Sequence, residues 1–115
     1  MSLERERLLQ VLKRELEFLE RGGYRASAAW RPPLIFEDSP ICLRSSNSSC
    51  AETNCALLRF VPEACRSRAA ACRFIPLNSA GETVDSFYRT GTQLELEATL
   101  RAWLLATIGE LESAV

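Results

Sequence analysis

The chain has 115 residues, 47% of them hydrophobic and 25% charged, with a formal net charge of −1. That length holds one domain with one modest core, and the composition excludes whole-chain disorder. The near-zero charge argues against general nucleic-acid binding, and no run reaches the roughly eighteen apolar residues that span a bilayer.

Charge is unevenly spread along the chain. Residues 1–22 carry five basic and five acidic groups, residues 42–73 sum to +3, and residues 74–115 sum to −4. The start, MSLERERLLQ, alternates charges instead of forming an apolar signal core, which points to a cytoplasmic protein. In that reducing compartment structural disulfides are rare.

The first predicted element is an amphipathic helix within residues 1–22. Leu9, Leu12, Leu16 and Leu19 recur at spacings of three and four, Leu8 and Val11 widen the stripe, and Gly22-Gly23 ends it. Lys13–Glu17 and Glu17–Arg21 form i,i+4 pairs. The leucine stripe suits a face packed on the chain's own core, and it also offers a homodimer contact through residues 2–21. Pro32-Pro33 then excludes helix, and Leu34-Ile35-Phe36 reads as a short extended segment with Trp30 and Phe36 as core anchors. Glu37-Asp38 reads as a solvated turn before Pro40.

All five cysteines lie between Cys42 and Cys72, and the chain has no histidine. The spacing is Cys42-x7-Cys50-x4-Cys55-x9-Cys65-x6-Cys72, with the serine-rich run Arg44–Ser49 inside the first interval. Short helices are expected over residues 52–60, carrying Cys55, and after Pro62, carrying Cys65. A segment so poor in core residues needs help against its ordering entropy. A zinc ion held by Cys42, Cys50, Cys55 and Cys72 would supply it, with Cys65 as the spare or alternate ligand. Four cysteines without histidine also suit an iron–sulfur cluster, although the spacing matches neither common ferredoxin run. Ordinary thiols, or a thiol redox centre at Cys65 beside Arg66 and Arg68, are the remaining alternatives. Arg59, Arg66, Arg68 and Arg73 form a basic lobe that either balances thiolates or contacts an anion or an acidic protein partner.

Residues 72–88 read as a β-hairpin, 72–77 against 82–87, around the turn Asn78-Ser79-Ala80-Gly81. The last element is a helix over residues 92–112. Thr92 and Glu95 make a capping box, and Leu96, Leu100, Trp103, Leu104, Ile108 and Leu111 fall on one face.

The fold expected from these elements is a single α+β domain. Long N- and C-terminal helices pack together, and a central cysteine-rich lobe (42–73) carries short helices and one β-hairpin. Without histidine, a nucleotide loop or a nucleophile–base pair, enzymatic activity has little to stand on. The expected function is a small metal-binding interaction or adaptor module, with an iron–sulfur electron-transfer or sensing protein, or a thiol redox protein, as alternatives.

Overall fold

A computed structural model describes residues 3–24, 34–42, 55–68 and 70–113. Among these residues every regular element is helical: α1 (Leu3–Glu20), α2 (Val84–Thr90) and α3 (Gln93–Ser113). Three single 3-10 turns, Ala56–Phe60, Glu63–Cys65 and Ala71–Phe74, complete the set. The expected α+β class is therefore corrected to all-helical.

The two long helices form as their patterns predict. In α3 the Glu95 amide donates to the Thr92 hydroxyl and the Thr92 amide donates to the Glu95 carboxylate, so both ends of the capping box are made. Leu96, Leu100, Leu104 and Ile108 are buried, with Trp103 and Leu111 packed beside them. Helix α1 ends where Gly22 takes φ +76° and the amides of Gly22 and Gly23 return to the carbonyls of Leu19 and Phe18. Only glycine adopts that left-handed turn without cost.

Helices α1 and α3 pack on each other. They run antiparallel, since Lys13 pairs with Glu112 at 2.7 Å and Glu20 with Arg101 at 3.0 Å. Lys13 thus reaches across to α3 instead of along α1, whereas the Glu17–Arg21 pair is present at 3.8 Å. The buried stripe of α1 is Leu8, Leu12, Glu15 and Leu19, with Leu9 and Leu16 at its margin. The leucines proposed for self-association thus lie in or beside the protein's own core.

The hairpin is absent. Its turn forms as expected, with Gly81 at φ +77° and Asn78 Oδ1 accepting from the amides of Ala80 and Glu82. The Leu77 amide donates to the Glu82 carbonyl at 2.8 Å. Beyond it the chain turns helical, because Thr83 and Ser86 cap α2 reciprocally and Val84 and Phe87, three apart, both face the core. A strand would place Val84 and Phe87 on opposite faces, so burying both selects the helix. On the other arm, residues 71–74 coil into a 3-10 turn that buries Ala71 and Cys72.

Leu34-Ile35-Phe36 is likewise a turn and not an extended run. The Asp38 amide returns to the Leu34 carbonyl, the Asp38 carboxylate accepts from the Leu34 amide, and Phe36 sits at φ +64°. Phe36 is the core anchor expected of it, 1% exposed, with its ring edge-on to Trp103. Trp103 also meets Phe60 at 5.2 Å between centroids, so one α3 side chain ties the turn to the first 3-10 segment. Trp30, Arg44–Ser49 and the start of the helix expected over residues 52–60 lie outside the described residues.

Candidate functional site

Two polar centres and one groove stand out. The first centre lies under the 34–39 turn on its α1 side. Glu15 is wholly buried in the middle of the apolar stripe. The Tyr24 hydroxyl donates a short hydrogen bond to its Oε2 and accepts from the Phe36 amide at 2.8 Å. The Ser39 hydroxyl also bonds the carboxyl, while Oε1 has no partner. Burial outweighs these two hydrogen bonds and pushes the Glu15 carboxyl up to about 7. Burial, and then the neighbouring carboxylate, pushes the Tyr24 phenol far above its ordinary range.

The second centre clasps the same turn from the α2 side. Arg73 makes a two-pronged ion pair with Glu37, Nε to Oε2 at 2.7 Å and Nη2 to Oε1 at 3.1 Å. Its guanidinium lies 5.7 Å from the centre of the Tyr88 ring, and the Tyr88 hydroxyl accepts from the Ile35 amide at 2.8 Å. The Glu37 hydrogen bonds raise the Arg73 pKa further, and burial pushes the Tyr88 phenol up to about 12. Glu37 is therefore no solvated turn residue, as its side chain is only 9% exposed.

The groove runs between the first turns of α1 and the 56–60 segment. Leu8, Ala56 and Leu58 give it an apolar lining, Arg7, Arg59 and Glu4 a charged one, and Cys55 a thiol; it encloses about 400 Å³. A small cavity beside it is lined by Arg7, Val11, Ile41, Cys55, Ala56 and Leu57. Ile41 and Cys55 both line it, so the described segments 34–42 and 55–68 approach each other there.

The expected ligand cysteines divide among these places. Cys55 lies in the groove, and Cys42, half-buried, follows Ile41 with its amide bonded to the Ser39 carbonyl. Cys72 is buried within electrostatic reach of Arg73 and Tyr88. Cys65 is half-buried in the second 3-10 turn. Cys50 lies outside the described residues. Among the described residues no three Cys, Asp or Glu side chains are grouped as a metal ion requires.

The four arginines separate as well. Arg59, Arg66 and Arg68 are exposed, whereas Arg73 is held by Glu37. Arg66 Nε donates to the Val61 carbonyl at 2.9 Å, and the Arg68 guanidinium covers the Phe74 ring at 4.7 Å. Both guanidinium groups beside Cys65 are thus engaged elsewhere.

The chain matches no family model, no curated protein and no solved structure. Among the described residues no helix is long and apolar enough to cross a membrane.

Glu15, Tyr24 and Ser39 escape a reading that assigns charged residues to the solvent side of a helix. The signal for Glu15 is its place in Leu8-Leu12-Glu15-Leu19, whose spacings of four, three and four are those of a continuous buried face.

Proposed function

We propose that the chain is a small interaction module that holds an acidic protein segment, with no chemistry of its own. The groove between α1 and the 56–60 segment carries this reading. Its apolar wall accepts one aliphatic side chain, and Arg7 and Arg59 in the same groove can pair with carboxylates beside that side chain. Glu4 in the same groove disfavours a partner with carboxylates on that side, so it sets direction as well as sign.

A fluorescein-labelled synthetic peptide with one leucine flanked by glutamates tests the reading by anisotropy. Binding should weaken as salt rises, and the double substitution Arg7→Glu and Arg59→Glu should weaken it at least about tenfold. Equal affinity for the same peptide with lysines in place of glutamates defeats the proposal.

A metal-stapled form of this module is the second reading, with Cys42, Cys50, Cys55 and Cys72 as ligands. That Ile41 and Cys55 line one small cavity favours it, because two of the four thiols, Cys42 and Cys55, then belong to segments that approach each other, which lowers the entropic cost of bringing them to one ion. Elemental analysis of protein purified without oxygen tests it. One zinc per chain supports the staple, a brown protein containing iron and sulfide supports the cluster, and protein without metal removes both.

A further inference from the structure

The 34–39 turn is clasped on two sides by different chemistry. On the α2 side the two-pronged Arg73–Glu37 ion pair and the Tyr88 hydroxyl hold it. On the α1 side Tyr24 and Ser39 hold it through the single carboxyl of Glu15. That carboxyl is out of water, its Oε1 is unpartnered, and the residue it positions at one remove, Phe36, occupies a left-handed backbone conformation that a phenylalanine rarely takes. The hydrogen bond from the Phe36 amide to Tyr24 helps to hold that conformation.

We infer that Glu15 is a proton-operated latch: uncharged, it keeps the 34–39 turn closed on α1, and ionised, it drives the turn to open so that water reaches the carboxylate. The neutral acid is compatible with an apolar surround; the Tyr24 and Ser39 hydrogen bonds favour the anion, but burial outweighs them. The anion has two donors where a buried carboxylate needs more, and its second oxygen has none. Opening on this side exposes that oxygen to solvent while the Arg73–Glu37 pair and the Tyr88 hydroxyl keep their hold on the turn, which confines the movement to its α1 edge.

The neighbouring charges do not substitute for the proton. Tyr24 remains a neutral phenol, and Ser39 contributes only a hydroxyl. From α3, Glu112 and Arg101 are taken by Lys13 and Glu20 at the edges of the helix pair, and buried Glu97 accepts from Gln93. From the 56–60 segment, Arg59 belongs to the groove at Glu4 and Arg7, two turns and more from Glu15 along α1.

The test is amide hydrogen exchange at Phe36, corrected for intrinsic rate, together with a carbon-detected titration of the Glu15 carboxyl. Protection of Phe36 should fall about tenfold between about pH 6 and about pH 8, the linkage expected when an exposed carboxyl of ordinary acidity competes with one that titrates near neutrality. In Glu15→Gln the same amide should stay protected across that range. A flat profile in the native chain, or an equal slope in both proteins, overturns the latch. If Glu15→Gln does not fold, the native carboxyl decides: titration in the ordinary carboxylate range overturns the proposal, and titration near neutrality in step with Phe36 exchange upholds it.

Discussion

At the scale of single residues, Glu15 sets how stability depends on pH. Its native pKa is about 7 against an ordinary 4.5, so between those values the folded chain holds a proton that the unfolded chain has lost. Stability therefore falls as pH rises through this window and levels off above it. The contribution present below pH 4.5 and gone above pH 7 is on the order of 3 kcal/mol. Urea midpoints at several pH values should show the native chain losing about this much relative to Glu15→Gln between the two ends. Arg73 is the other single residue with large leverage. Removing its side chain leaves the largely buried Glu37 carboxylate without its two-pronged donor, so Arg73→Ala should cost about 2–3 kcal/mol. Lysine restores the charge but not the fork and should recover only part of the loss. The same urea experiment measures both. Neither residue is conspicuous in the sequence, because burial of a charge depends on partners that come from distant segments, Tyr24 and Ser39 in one case and Glu37 in the other.

Elements differ in how plainly their sequences announce them. Helix α3 declares its start through Thr92 and Glu95 and its buried face through four leucine or isoleucine positions, and the structure follows both closely. Helix α1 declares its extent, yet its buried centre is rotated towards Leu8 and Glu15 because the turn carrying Ser39 packs there. Helix α2 was hidden behind a convincing turn. Asn78 to Gly81 supplies a reversal, and a reversal between two apolar runs reads as a hairpin unless the cap beyond it is noticed. That cap should be measurable: Thr83→Ala removes the acceptor for the Ser86 amide and should destabilise the protein by about 1 kcal/mol, while Thr83→Gly should cost only a few tenths. The cysteine spacing points to a common centre, one of whose four members, Cys50, lies outside the described residues. The described residues distribute Cys42, Cys55, Cys65 and Cys72 among a loop edge, a groove, a 3-10 turn and the core. Spacing along a chain limits which thiols can meet, but the packing of intervening segments decides which do.

Across the whole molecule, the helix pair α1–α3 is the frame, and the described elements between residues 34 and 90 are mounted on it. Apart from α2, these are single turns, which do not persist alone, so their order is borrowed from the frame. Leu12 and Leu100 are fully buried in that frame. Leu12→Ala or Leu100→Ala should cost about 2–5 kcal/mol, a large share of the about 5–15 kcal/mol that a domain has in total. Loss of the Trp103 contact with Phe60 should accompany global unfolding and not precede it, which tryptophan fluorescence and far-ultraviolet circular dichroism recorded on one sample would reveal as coincident transitions.

The pairing of the earliest helix with the latest has a consequence during biosynthesis. Because residues 21–92 separate α1 from α3, the face of α1 that packs on α3 stays uncovered until residues 93–113 have been made, although the 56–60 segment reaches its first turns sooner. Over that interval the nascent chain presents a leucine-rich helix face to chaperones.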